Sequence, residues 1–178
     1  MTSMKTIKAR WKVAGILTKL LTIVPVTFVV IFFSASFLPV SFNFTPSMPR
    51  GVYYTYDCSP AKGDIIQFKP TERTWQFAMD RKYVSDRMEG LLKTVVATSG
   101  DRVCWQEGKI SINGEFAGDV AAADSMGRPL GHDPECIIVQ EGQLLPMALD
   151  YHRSYDGRYF GLINSEDVQF CVRPVWTF

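Results

Sequence analysis

The sequence predicts a mostly-β fold behind one N-terminal apolar segment, on three observations. No charged residue occurs from Leu20 to Val40. Beyond that run, short stretches rich in Val, Ile, Tyr and Phe are punctuated by Gly, Pro and Asn at the spacing of strands and turns. One stretch, Thr71–Glu89, departs from that pattern and carries its apolar residues at helical spacing.

The apolar segment comes first. Its about 21 residues would span roughly 31 Å as a helix, against a ~30 Å hydrocarbon core. Lys5, Lys8, Arg10, Lys12 and Lys19 precede it with almost no acid. Positive charge stays on the cytoplasmic side. The expected organisation is therefore a basic cytoplasmic N-terminus over 1–19, a transmembrane anchor or signal segment over 20–40, and an exported domain over 41–178. Ser34-Ala35-Ser36 keeps a cleaved leader open as the alternative. A net charge of +1 with both signs interspersed carries no nucleic-acid footprint.

Export determines how the cysteines are read. Four of them in an oxidising compartment predict two disulfides, with Cys104–Cys136 and Cys58–Cys171 the preferred pairing of three. A zinc site using His132 and His152 lacks the usual C-x-x-C or H-x-x-x-H spacing.

Along the exported part, Gly51–Asp57 reads as a strand ended by Ser59-Pro60, and Gly63-Asp64 turns into a strand over Ile65–Phe68. Thr71–Glu89 is an amphipathic helix, with Trp75, Met79, Tyr83 and Met88 recurring and Gly90 as its C-cap. It packs on the sheet or, alternatively, touches substrate or membrane. Leu91–Thr98 is a strand. Arg102–Gln106 and Lys109–Asn113 form a hairpin, and Asn113-Gly114 opens the next turn. Glu115–Glu135 reads as a loop or small insertion. Cys136–Gln140, Leu144–Leu149, Arg158–Ile163 and Val168–Trp176 complete the strands.

Two residues carry the chemistry. Ser47 stands in Thr45-Pro46-Ser47-Met48-Pro49-Arg50-Gly51, where the prolines stiffen the backbone that presents its hydroxyl. Strand alternation puts Lys93 on one face with Leu91, Val95 and Ala97. An amine on an apolar face either snorkels to water or is desolvated, and desolvation favours its neutral form, which can accept a serine proton.

Four blocks in order resemble the type I signal peptidases, serine proteases with a Ser/Lys dyad. They are Thr45–Pro49, Gly63–Phe68, Lys93–Val103 and Ser154–Gly161. The resemblance implies an antiparallel signal-peptidase-like β fold with Ser47 as nucleophile and Lys93 as general base. It also implies an oxyanion hole made by the Ser47 N–H and the Thr45 hydroxyl, Ser154 hydrogen-bonded to the lysine, and Asp156 with Arg158 as a supporting ion pair. Two features depart from the usual type I pattern, Pro49 directly after Met48 and Gly157 between Asp156 and Arg158. Together with the short chain, the Ser47-Met48-Pro49-Arg50-Gly51 form resembles the TraF branch, which matures pilin precursors for conjugation, in some members by cyclisation. That resemblance implies an exported precursor (a propilin or preprotein) as substrate, conjugation or secretion machinery as partner, and the bacterial inner membrane with a periplasmic domain as location. No metal or organic cofactor is implied. A Ser/His/Asp triad of Ser47, His152 and Asp150 is the rival chemistry.

Overall fold

The computed structural model of the protein describes residues 19, 21–29 and 38–178. Two compact units divide it, residues 1–39 and 40–178. In the first, residues 19 and 21–29 are helical, and Leu21, Ile23, Val24, Val26 and Phe28 are exposed. Among the described residues no helix is long and apolar enough to cross a membrane. The basic N-terminus, most of the anchor expected over 20–40 and the Ser34-Ala35-Ser36 alternative lie outside the described residues.

The second unit is mostly β and antiparallel throughout. Its strands are β1 (Val40–Asn43), β2 (Gly51–Tyr56), β3 (Ile65–Phe68), β4 (Leu91–Ala97), β5 (Arg102–Gln106), β6 (Lys109–Ile112), β7 (Glu115–Asp119), β8 (Glu135–Ile138), β9 (Gln143–Met147), β10 (Ile163–Asn164) and β11 (Val168–Thr177). A seven-stranded sheet runs β1-β2-β11-β3-β4-β9-β10, and a four-stranded sheet runs β7-β6-β5-β8. Two helices interrupt the strands, α1 (Glu72–Asp80) and the short α2 (Gly157–Phe160).

β4 carries Lys93 and is paired on both sides. It pairs with β3 on one side, Lys93 opposite Ile66, and with β9 on the other, Thr94 opposite Met147. Both of its faces are covered, so the strand is apolar almost without alternation. Leu91 and Val95 join Ile66, Phe68 and the α1 residues Trp75 and Ala78 in one core. Val96 and Ala97 join Trp105, Ile110 and Met147 in a second core, towards the four-stranded sheet. A register shift between Val95 and Ala97 marks the passage between the two.

The disulfides are Cys58–Cys171 and Cys104–Cys136. Cys104 and Cys136 are register partners on β5 and β8, so that bridge closes a cross-strand pair. Cys58 lies just past β2 and ties it to β11.

Four expectations need correcting. The helix expected over 71–89 ends at Asp80, because Arg81 caps it and Lys82 turns the backbone to φ 59°. Gly90 is therefore no helix cap; a Cβ there would stand 2.7 Å from the Phe68 carbonyl oxygen. Glu115–Asp119, expected as loop, is β7, because β6 supplies ladder partners that its own composition does not announce. The strand expected over Arg158–Ile163 begins as α2, whose N-cap Asp156 accepts from the Arg158 N–H, and only Ile163 pairs with β9. Val40–Asn43 pairs with β2 as β1 and belongs to the folded domain, with its first residue taken from the apolar run.

Candidate active site

Ser47 sits on the turn between β1 and β2, and the fold fastens that turn from several sides. Met48 is buried with Tyr53, Leu92 and Val172, so the residue after the serine is seated on the residue before Lys93. The Tyr53 hydroxyl donates to the Pro49 carbonyl at 2.6 Å, and the Phe178 N–H donates to the Arg50 carbonyl at 2.9 Å. Gly51 follows with φ 151°, and a Cβ there would lie 2.0 Å from the Trp176 carbonyl oxygen. Only glycine permits β2 to start that close to β11.

Lys93 is 3% exposed. Its Nζ lies 2.9 Å from Ser47 Oγ and 2.9 Å from the carbonyl oxygen of Leu92. Burial lowers its pKa from 10.5 to about 8, with Asp156 opposing the fall and the Arg158 guanidinium adding to it. At pH 7 an amine so placed is neutral in about a tenth of molecules, far more than an ordinary lysine, and the neutral form is what accepting a hydroxyl proton requires.

The Thr45 hydroxyl stands 3.3 Å from Ser47 Oγ. Among the described residues nothing accepts from the Ser47 N–H. Both groups assigned to the oxyanion hole are therefore beside the serine. The Thr45 hydroxyl is, however, 2.7 Å from Asn43 Oδ1, which receives its proton.

Ser154 departs from expectation. It is 3% exposed, but its Oγ has no hydrogen-bond partner, and among the described residues it is the only buried side-chain polar atom in that condition. Lys93 Nζ is drawn instead to Ser47 and to the Leu92 carbonyl.

Asp156 and Arg158 form a buried pair, 0% and 2% exposed, with Arg158 Nη2 at 2.7 Å from Asp156 Oδ2 and Nε at 2.9 Å from Oδ1. Asp156 also accepts from the Ala148 N–H, and Arg158 donates to the carbonyls of Ala148 and Tyr151. The pair thus fastens the end of β9 and the loop leading to Ser154. Gly157 between them has a physical reason, since a Cβ would lie 2.6 Å from Leu145 Cδ1 and 2.8 Å from the Pro146 carbonyl oxygen. Asp156 holds Arg158 above its usual value against the opposing effect of burial.

Ser47 and Lys93 open into a cleft of 580 Å³ that also reaches Val84, Met88, Leu130 and Tyr155. One wall is a strap that sequence reasoning missed. Asp124 accepts from the Tyr83 hydroxyl at 2.6 Å and from Arg128 Nε at 2.7 Å, with Arg81 at 3.7 Å. The Tyr83 hydrogen bond, followed by those from Arg128 and the Met126 N–H, keeps this carboxyl well below its usual range. Arg81 further donates to the Pro129 carbonyl, so residues 121–130 are held against the end of α1. Nothing local in the sequence signals that Asp124 meets Tyr83.

Asn43 was missed as well. It is buried, its side chain is bonded entirely to the Ser47 turn, and the Asn-x-Thr spacing of an Asx turn was its available signal. Neither histidine bonds to Ser47. His132 stacks on Trp105 at 4.3 Å, and His152 is exposed at the cleft rim. Among the described residues no cluster of His, Cys, Asp and Glu is arranged to hold a metal.

Residues 12–176 match the family described as signal peptidase, peptidase S26. A plasmid transfer protein TraF of Escherichia coli is 31% identical over 145 residues, 76% of this chain and 82% of its own length. A conjugal transfer protein TraF of Agrobacterium fabrum is 32% identical over 146 residues, 76% of this chain and 81% of its own. The crystal structure of a signal peptidase I from Enterococcus faecalis has a TM-score of 0.39 at 20% identity, covering 66% of this chain and 100% of that one, a likeness too distant to argue from. With a family match across nearly the whole chain and relatives of this similarity, the protein belongs to the signal peptidase family, peptidase S26, as a TraF-like member.

Proposed function

We propose that this chain is a serine endopeptidase of the bacterial envelope that matures exported pilin-type precursors for conjugative DNA transfer. Ser47 Oγ attacks the carbonyl carbon that follows a small residue of the precursor. Lys93 Nζ accepts the hydroxyl proton as the C–O bond forms, then returns it to the leaving amine as the peptide C–N bond breaks. The Ser47 N–H and the Thr45 hydroxyl hold the oxyanion. Water or an amine then attacks the acyl-enzyme and regenerates Ser47.

The observation that carries this reading is the 2.9 Å contact between Ser47 Oγ and an amine whose pKa burial brings to about 8. The relatives named plasmid transfer and conjugal transfer protein TraF support the conjugative setting. Phe42, Phe44, Tyr54, Trp176 and Phe178 are exposed on or just beyond β1, β2 and the end of β11, flanking the Ser47 turn. Aromatic residues at a membrane interface behave this way, and a precursor held by its own apolar segment would present its cleavage site at the same depth. The preceding charge-free segment supplies the anchor in this reading.

The test is maturation of the precursor in membranes carrying Ser47→Ala or Lys93→Ala. Each should abolish it, and mass spectrometry of a trapped Ser47 acyl-enzyme should identify the attached peptide. Retained maturation in both variants would leave a non-catalytic assembly factor instead. Cleavage of ordinary secretory preproteins would make the protein a general signal peptidase.

A further inference from the structure

Asn43 closes β1 and is 6% exposed, yet neither end of its side chain serves the sheet. Every polar contact of its side chain goes to the turn that carries Ser47, with the two Nδ2 protons shared among three carbonyls. Nδ2 faces the carbonyl oxygens of Thr45 at 3.0 Å, Met48 at 2.9 Å and Pro49 at 3.0 Å. Oδ1 accepts from the Thr45 N–H at 3.1 Å and from the Thr45 hydroxyl at 2.7 Å. The orientation of the amide follows from chemistry, since carbonyls only accept and a backbone N–H only donates.

Two consequences follow. The amide nitrogen gathers three carbonyls from one side of the turn and so dictates which way the remaining backbone, including the Ser47 N–H, faces. The amide oxygen takes the single proton of the Thr45 hydroxyl, because 2.7 Å to Asn43 is a much shorter path than 3.3 Å to Ser47. In the resting site Ser47 therefore meets a Thr45 lone pair. For Thr45 to donate to an oxyanion, its proton must leave Asn43.

We propose that Asn43 is a positioning residue for acyl transfer, shaping the Ser47 turn through its nitrogen and holding the Thr45 hydroxyl in readiness through its oxygen. A neutral amide oxygen is the weaker acceptor, so the hydroxyl transfers its hydrogen bond when a charged oxyanion forms beside it. An aspartate at this position would fail on both counts. It cannot donate to the three carbonyls, and its charge would retain the Thr45 proton.

This inference rests on the Ser47/Lys93 reading, so Ser47→Ala is measured alongside. If that variant stays active, the dyad reading falls whatever Asn43 does. The experiment compares Asn43→Ala, Asn43→Asp and Asn43→Ser as full-length protein in membranes. Turnover of a peptide spanning the precursor junction is normalised to folded enzyme by the fraction resistant to limited proteolysis. The expected result is a loss of ~10²-fold in kcat with KM changed less than ~3-fold, and Asn43→Asp no better than Asn43→Ala. On a Thr45→Val background, Asn43→Ala should cost about tenfold less than it does in the native chain, since part of its action passes through that hydroxyl. A kcat within ~3-fold of native for the folded fraction of any of the three variants would overturn the proposal. So would equal losses on both backgrounds.

Discussion

Lys93 Nζ lies 2.9 Å from Ser47 Oγ although 46 residues separate them in sequence. The contact exists because β4 holds the lysine in the interior while the β1–β2 turn is seated on its neighbour Leu92.

The first prediction concerns activity against pH. Because Lys93 must be neutral to act as base and burial lowers it to about 8, kcat/KM should rise ~tenfold per pH unit up to about 8 and level off above it. A profile on a junction peptide from pH 5.5 to 9.5 measures this. A flat profile across pH 6–9 would remove Lys93 as the base.

Stability should show the opposite face of the same burial. The native lysine binds fewer protons than the unfolded one between about 8 and 10.5, so this residue's contribution makes stability rise with pH over that window. Below about 8 the native state carries the full penalty of a buried ammonium. The interval corresponds to about 3 kcal/mol, and with the Leu92 hydrogen bond lost, Lys93→Met should stabilise the fold by about 1–3 kcal/mol at pH 7. Thermal melts of both proteins should differ most at pH 6–7 and converge by pH 10.5. An advantage of Lys93→Met that grew with pH would contradict the sign, and a constant one would show that Lys93 is not linked to folding.

Ser154 separates stability from function. Its buried hydroxyl has no partner, so Ser154→Ala should leave Tm unchanged or raise stability by up to ~1 kcal/mol. In the proposed reaction the hydroxyl lines the cleft beside the dyad and takes up a partner there, so turnover should fall by about tenfold. Native turnover in the variant would remove Ser154 from the site.

Arg158 should behave as an internal fastener. Replacing it with Met leaves Asp156 buried without its charge partner and is expected to destabilise by about 3–5 kcal/mol. The double replacement Asp156→Asn with Arg158→Met should recover part of that loss. Urea unfolding of Arg158→Met, Asp156→Asn and the double variant measures the coupling, and additive losses would show that the pair is not coupled.

Gly157→Ser would place a side chain between the buried Asp156 and Arg158. Here a Cβ meets the Pro146 carbonyl oxygen at 2.8 Å, so the substitution should destabilise by about 1–3 kcal/mol. An unchanged midpoint in urea would show that β9 yields more easily than its pairing with β4 suggests.

Most of the strands could be read locally. Ile65–Phe68 and Leu91–Ala97 follow from apolar runs bounded by turns, and both disulfide pairs match the preferred reading. Elements whose identity depends on a distant neighbour could not. β7 is a strand because β6 lies beside it, and α1 stops at Asp80 because the following residues turn away to wall the cleft. The strap around Asp124 joins residues 41 apart through Tyr83, with no local pattern to announce it.

The sequence by itself determined the ordered blocks, the candidate serine and lysine, and the preferred pairing of the four cysteines. Residue types and spacing carry that information directly. Only the tertiary structure decided that Lys93 is dry, that Asp156 and Arg158 are interior, that Ser154 lacks a partner and that Asn43 holds the Ser47 turn. Desolvation and hydrogen-bond direction are properties of what surrounds a group, and β4 acquires its surroundings only when β3, β9 and the β1–β2 turn close around it.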